Sequence, residues 1–347
     1  MLDVDEEDPR LGIHFLPFVM STLNVAVCDW GGSNTRSCVL ENDGKDLHLA
    51  EGTSVILNTE GMTDIDTVLD RGIGASINRY NGRIHGVSTA FAGPIKDHRL
   101  VRKAPNIHCF TGFPFDLGGK LRDTFQVPAV VGNDLEDATM EELRAGAIQG
   151  MGNALVENVG TGWGEAYVLD GKVHPTEAGH AWLPTDRTFG KSCGCGNQDC
   201  VESSLSGGAI KRRVLEICQQ RSLKIPEGTH PCAFLDQEFL CGTPWAVELY
   251  NELAFKIGNV IGGNLNRFPE IEGIAYMGSF MECAMRMQSF RDRMRTAMLK
   301  RSMFLSDHEA IPIREVQGPR IDGQYVGAMY GAASSWKYLK EEGRATE

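Results

Sequence analysis

Two glycine-rich turns constrain this chain more than any other feature, because each joins a pair of apolar, strand-like runs and the two lie about 130 residues apart. Leu23 to Asp29 reads as a buried strand and Arg36 to Leu40 as a second, with Trp30-Gly31-Gly32-Ser33 between them. Asn42-Asp43-Gly44 then signals a hairpin. Farther on, Ala154 to Val159 and Glu165 to Leu169 flank Gly160-Thr161-Gly162-Trp163-Gly164. A glycine turn after a strand lets backbone N–H groups converge on an anion. In the first turn the Ser33 and Thr35 hydroxyls and the Arg36 charge suit a phosphate, and Asp29 at the strand end is placed to hold magnesium, most simply through water. Either turn alone could be a plain hairpin. Together they are what a phosphate clamp formed by two facing halves requires. Neither matches the phosphate loop that ends in Lys-Ser/Thr.

The remaining pattern mixes strands and helices in α/β order. A helix is predicted over Met62 to Tyr80, strands over Gly86 to Ala92 and Ala129 to Val131, and a helix from Asp134 to about Ile148. Beyond a cysteine-rich loop, helices are expected over Gly208 to Arg221 and Pro244 to Asn266, a strand over Ile271 to Met277, and a final helix over Gln324 to Lys340. A chain of 347 residues can hold two domains, each with its own core. The net charge of −12 argues against a nucleic-acid partner, and no apolar run reaches the length of a membrane helix. The start, with Asp3, Asp5, Glu6, Glu7 and Asp8, reads as an acidic extension and not as a secretory signal. Cys28, Cys38, Cys218, Cys241 and Cys283 are scattered through apolar or helical stretches, which points to a reducing cytoplasm.

Three further groups carry chemistry. Asn133-Asp134 ends an apolar strand, where a carboxylate can take a proton from a hydroxyl attacking phosphorus and Asn133 can orient neighbouring hydroxyls; the same pair also suits a helix N-cap. Glu177-Ala178-Gly179-His180 offers a carboxylate and an imidazole three positions apart. Cys193, Cys195 and Cys200 follow, with Glu202 just beyond. Three thiols and His180 can close a tetrahedral zinc shell, with a redox pair or an incidental loop as the alternatives. Glu177, His180 and Glu202 around such a site could grip a polyol.

In this order Asp29-x-Gly31-Gly32-Ser33-x-x-Arg36, Asn133-Asp134, Gly160-Thr161-Gly162, Glu177-x-Gly179-His180 and Cys193-x-Cys195-Gly196-x-x-x-Cys200-x-Glu202 resemble the ROK-type sugar kinases, a group within the actin-like ATPase superfamily that includes glucokinases. The resemblance runs from about Leu23 to Tyr338. It implies a two-domain actin-like ATPase (ribonuclease H-like) fold with a deep interdomain cleft: 1–21 an acidic extension, 22–133 plus 325–347 a small domain, and 134–324 a large domain with a zinc loop. It implies Asp134 as general base and Gly93, Asn133, Glu177, His180 and Glu202 around the sugar. Asp29, Gly31, Gly32, Ser33, Asn34, Thr35, Arg36, Gly160, Thr161 and Gly162 would hold ATP and Mg²⁺, with Gly278 and Ser279 near the adenosine. His180, Cys193, Cys195 and Cys200 would bind a structural Zn²⁺.

Four positions depart from that pattern. The adenosine segment Tyr276-Met277-Gly278-Ser279-Phe280 has one glycine where two or three are usual, and Trp163 and Glu165 follow Gly162 where an aliphatic residue is common. The stretch from Gly171 to Glu177 is short and that from His180 to Cys193 long. The implied activity is phosphoryl transfer from ATP to a hexose, foremost the 6-hydroxyl of glucose, in a cytoplasmic homodimer or higher homo-oligomer. N-acetylmannosamine, fructose, allose or a cyclitol are alternative acceptors. The regulators of the same group carry a DNA-binding helix-turn-helix ahead of the first turn, which the short acidic start does not suit.

Overall fold

Each of the two glycine turns closes the first hairpin of a sheet, and the two sheets share one topology. A computed structural model describes residues 23–43, 46–104, 107, 109–110, 112–183, 192–304 and 311–341; the acidic extension and Gly44 of the hairpin signal fall outside these. The first sheet contains β1 (Leu23–Trp30), β2 (Asn34–Asn42), β3 (Leu47–Leu49), β4 (Val55–Asn58) and β5 (Gly86–Phe91). A small three-stranded sheet follows, of β6 (Ile95–Lys96), β7 (Leu100–Val101) and β8 (Phe115–Asp116), before β9 (Ala129–Asn133) returns to the first. The order is β3-β2-β1-β5-β9, antiparallel through β1 and parallel beyond it, with β4 on β2. In the second half, β10 (Ala154–Val159), β11 (Trp163–Leu169), β12 (Lys172–Thr176), β13 (Gly273–Met277) and β14 (Ile313–Glu315) form a sheet of order β12-β11-β10-β13-β14, with the same change of direction at β10.

The helices fill the faces. α1 (Ile65–Leu69) passes through a π-helical turn, Asp70–Gly74, into α2 (Ala75–Arg79). It starts three residues after the predicted Met62 because Asp64 accepts from the Asp66 and Thr67 N–H groups and so defines the cap. α3 (Leu117–Phe125), capped by Asp116, and α4 (Asp134–Ala145) follow. The second half adds α5 (Val201–Leu205), α6 (Gly207–Arg221), α7 (Pro231–Leu240), α8 (Pro244–Leu265), α9 (Ser279–Ala284), α10 (Gln288–Arg301) and α11 (Gly327–Glu341).

Alternation in the strands assigns the faces. In the first sheet, Ala26, Cys28 and Trp30 pack with Val68, Ile73, Leu117 and Leu121, while Val25 and Val27 meet Val326, Met329, Tyr330, Ala333 and Trp336 of the α11 region. In the second, Leu155, Tyr167 and Ile274 face α8 and α10. Val156, Val168 and Ala275 face Leu135 and Ala138 of α4 and Ala328 and Ala332 of α11. Thus α4 and α11 lie between the two sheets.

Three boundaries differ from the sequence reading. The second turn is only Gly160-Thr161-Gly162, since Trp163 and Gly164 already pair with Val159 and Asn158. α4 ends at Ala145, where Gly146 leaves helical geometry. The last helix begins at Gly327, because Gln324–Tyr325 pairs with Arg320–Ile321 as a short hairpin. Its turn, Asp322-Gly323, takes positive φ at both residues, the geometry that Asp-Gly favours.

Candidate active site and metal centre

The carboxyl ends of parallel strands are where α/β sheets present polar groups to a crevice, and here those ends carry the predicted residues. Asp29 lies in β1 opposite Ala90 of β5, and Phe91, two residues before Gly93, lies opposite Asn133 of β9. Asn133 is the N-cap of α4: its Oδ1 accepts from the N–H groups of Leu135 at 3.1 Å and Glu136 at 3.0 Å. Its Nδ2 donates to the Gly93 carbonyl at 3.1 Å, tying the ends of β5 and β9 together. Capping and site geometry therefore coexist in one side chain.

Asp134, the first residue of α4, accepts from the Leu135 N–H at 2.9 Å. Burial, and then the charges of Asp29 and Glu177, push its carboxyl up to about 7, against that backbone N–H. Glu177 belongs to the second half of the chain and Asp29 to the first, so acids from both halves act on Asp134. Burial raises Asp29 as well, with Arg36 opposing it.

The first turn is braced by charge. Arg36 Nη1 lies 3.2 Å from Asp29 Oδ2, and its Nε donates to Gln324 Oε1 at 2.8 Å. Gly31, Gly32, Ser33 and Asn34 are partly exposed. Thr35 is not: paired with Trp30 at the start of β2, it is 1% exposed, and its hydroxyl is buried without a partner and not at the lip. The expectation that both hydroxyls line the turn is corrected for Thr35, because strand alternation turns it inward.

The second turn is braced by backbone. The Gly207 N–H donates to Gly160 O at 2.8 Å and the Gly208 N–H to Thr161 O at 3.2 Å, so the start of α6 holds the turn's carbonyls. Glu202 Oε2 accepts from the Trp163 N–H at 3.1 Å. A Cβ on Gly162 would come within 2.6 Å of that oxygen, so any side chain here would push the Glu202 carboxylate aside. Gly278, with φ of 95°, ends β13 against Val159 and Asn158, whose Oδ1 a Cβ would meet at 2.6 Å. Gly160 and Gly278 are thus neighbours, with Ser279 next in the chain.

The cysteine loop forms a second centre. One ligand atom from each of His180, Cys193, Cys195 and Cys200 lies within 4.8 Å of the others. Cys193 Sγ is 3.4 Å from His180 Nδ1, and Cys195 Sγ 3.7 Å from Cys200 Sγ. Zinc–sulfur bonds of about 2.3 Å at tetrahedral angles place sulfurs roughly 3.8 Å apart, so the donors fit that ion. The Gly196 N–H donates to Cys193 O at 2.9 Å and the Cys193 N–H to Asn197 O at 2.7 Å, which folds the loop back on itself. With Nδ1 turned to the thiols, His180 Nε2 faces Glu177 Oε2 at 3.9 Å. Burial raises the Glu177 carboxyl, which His180 opposes and Glu202 reinforces. Glu202 Oε1 lies 3.5 Å from Cys193 Sγ, so this one carboxylate touches both the metal loop and the second turn.

Two contributors escaped the sequence reading. Lys103, whose carbonyl lies against Gly93, donates from Nζ to Cys195 O at 2.8 Å and links the first half to the cysteine loop. Gln324 anchors Arg36. Neither sits in a motif, and only the tertiary fold brings each to its partner.

The sequence model described as the ROK family matches residues 25–312. An uncharacterized protein of Clostridium perfringens is 30% identical over 150 residues, covering 43% of this chain and 49% of that protein, so the match spans about half of that relative's length. A Streptomyces coelicolor glucokinase is 28% identical over 250 residues, 65% of this chain and 73% of that enzyme. The crystal structure of a ROK family glucokinase from Streptomyces griseus, in complex with glucose and AMPPNP, aligns with a TM-score of 0.70 at 20% identity and covers 91% of this chain and 99% of that one.

Proposed function

The chain belongs to the ROK family and has the two-domain actin-like ATPase fold, and from that premise we propose that it is an ATP-dependent sugar kinase. It transfers the γ-phosphoryl group to a hexose hydroxyl, foremost the 6-hydroxyl of glucose. The observation that carries this reading is Asp134 at the start of α4, its carboxyl raised to about 7 by burial and by the nearby charges of Asp29, from the other domain, and of Glu177. A base poised near neutral pH suits removal of a proton from an alcohol as it attacks phosphorus.

Asp134 takes the acceptor's proton in this scheme. Asn133 and Gly93 fix the floor of the acceptor site, and Glu177, His180 and Glu202 hold its other hydroxyls. The two glycine turns, with Arg36, hold the phosphates of the donor, and Gly278 and Ser279 flank its nucleoside. Mg²⁺, when bound beside Asp29, would neutralise phosphate charge. Zn²⁺ on His180, Cys193, Cys195 and Cys200 would be structural, holding His180 and Glu202 in register. Catalysis then rests on positioning and charge complementarity, with closure of the halves excluding water.

The domain division that goes with this reading is 22–133 plus 325–347 against 134–324, with α4 and α11 between the sheets. We assign the protein to the cytoplasm as a homodimer or higher homo-oligomer. In support of the first, all ten cysteines are free, and no helix among the described residues is long and apolar enough to cross a membrane. The decisive experiment is a coupled ADP-release screen with MgATP across hexoses, N-acetylhexosamines and cyclitols. Release with one of them names the acceptor; no release with any overturns the kinase reading.

A further inference from the structure

Trp163 and Glu165, the residues that set the second turn apart from the family pattern, belong to a buried polar group that the proposed reaction does not use. Glu157 of β10 and Glu165 of β11 are directly opposed in the antiparallel register, and both are 0% exposed. Asn264 of α8, itself 6% exposed, bridges them: Nδ2 donates to Glu157 Oε1 at 3.3 Å and also to Glu165 Oε2. From β12, Thr176 Oγ1 approaches Glu165 Oε1 at 3.4 Å. Glu157 Oε2 is buried with no partner. Trp163 Nε1 and the Tyr167 hydroxyl are buried beside the pair. A positive charge, Arg267, three residues past Asn264, acts on Glu165 and Tyr167.

Two ionised carboxylates cannot face each other in such a core, where like charges repel and water does not screen them. Burial raises both, Glu157 well above the ordinary range. Apart from the Arg267 charge, the side chains around the pair, those of Asn264, Thr176, Trp163 and Tyr167, are neutral donors, which suit one carboxylate and one carboxylic acid better than they suit a metal ion. We propose that Glu157 and Glu165 share a single proton and, with Asn264 between them, act as a clamp that holds together the hairpin beneath the second glycine turn. The pair sits three positions before Gly160 and three after Gly162, so separating the carboxylates would open the turn. As a consequence, which rests on the reading of that turn as a phosphate holder, the grip on the donor is linked to this proton.

Infrared spectroscopy of the full-length protein with ¹³C-labelled glutamate tests the proton directly. At pH 8 the protein shows an isotope-sensitive protonated-carboxyl band, which the Glu157→Gln/Glu165→Gln variant loses. A missing band, as a cation held between two carboxylates would produce, overturns the proposal. Denaturant unfolding gives the second readout. Relative to Glu165→Gln, the unfolding constant of the unaltered protein rises by up to about tenfold per pH unit above roughly pH 5, because the unfolded glutamate releases a proton that the native pair keeps. Glu157→Gln serves if Glu165→Gln does not fold, and an unchanged slope in both overturns the clamp. In calorimetry with MgATP, affinity falls with rising pH in the unaltered protein and is flat in the variant. Equal pH dependence in the two removes the coupling to the turn. If MgATP binds at no pH while band and slope persist, the kinase reading fails and the clamp stands.

Discussion

The two glycine turns occupy the same place in two sheets of the same topology, yet they are braced by different chemistry. The first sits over an ion pair, Arg36 to Asp29, with the guanidinium also anchored to Gln324. The second is held chiefly by backbone: α6 N–H groups hold its carbonyls, and Glu202 accepts from Trp163. A repeated backbone is thus divided in chemistry: the first turn is set on an ion pair and the second on oriented backbone, and in the proposed reaction Asp134 would act as base beside the first while the acids near the second would reach toward an acceptor. The lesson is that topology supplies equivalent positions and side chains make them unequal.

The largest expected effect tests where the chemistry sits. Asp134→Asn lowers turnover by about a thousandfold, the range for loss of a positioned base, while sugar binding measured by calorimetry persists; retained turnover breaks the division. In the unaltered enzyme, turnover rises as pH increases through about 7, where Asp134 loses its proton. Stability carries the opposite sign. A carboxyl held above its unfolded value costs stability once the unfolded chain ionises near pH 4, so Asp134→Asn is the more stable protein at pH 8, by about 1 to 3 kcal/mol after allowance for its partial exposure.

Next in size is the metal centre. Cys195→Ser/Cys200→Ser loses zinc and weakens sugar affinity by about tenfold to a hundredfold, the usual consequence of loosening groups that a metal orients. Metal analysis and calorimetry check it, and a full zinc content in the variant would rule out these thiols as its ligands. Gly162→Ala and Gly31→Ala then set the two turns against each other. At Gly162 the new methyl displaces the flexible Glu202 carboxylate, so acceptor affinity falls about tenfold, the loss of one charged hydrogen bond, with little change in stability. At Gly31 it meets the Asn34 carbonyl at 3.1 Å, a milder crowding that raises the KM for MgATP instead. Equal effects on both substrates at both sites would dissolve the contrast. The smallest effect belongs to Arg36→Met, which leaves Asp29 without its cation and raises the KM for MgATP about threefold, a partly exposed ion pair contributing only about 1 kcal/mol or less.

Much of this was legible in the chain because strands and turns write short-range patterns. The apolar runs at Leu23, Gly86, Ala129 and Ala154 became strands, and Gly160 to Gly162 a turn, since period-two burial and glycine geometry are local. The cysteine spacing likewise led to a compact four-ligand cluster. The sequence reading placed Thr35 at the lip and missed Lys103 and Gln324. It flagged Glu165 only as a departure, because nothing local indicates that an acid will be buried opposite another.

By itself, then, the sequence determined the α/β order, the two turns, the capping Asn133 and the clustered His/Cys loop, all of which depend on residues a few positions apart. The tertiary structure decided that the charges of Asp29 and Glu177 act on Asp134, that Glu202 joins the cysteine loop to the second turn, and that Glu157 and Glu165 face each other in a dry core. Those outcomes depend on which strand ends are brought together across the interface and on how far water is excluded there. Burial and long-range charge are properties of the packed molecule, and no spacing along the chain contains them.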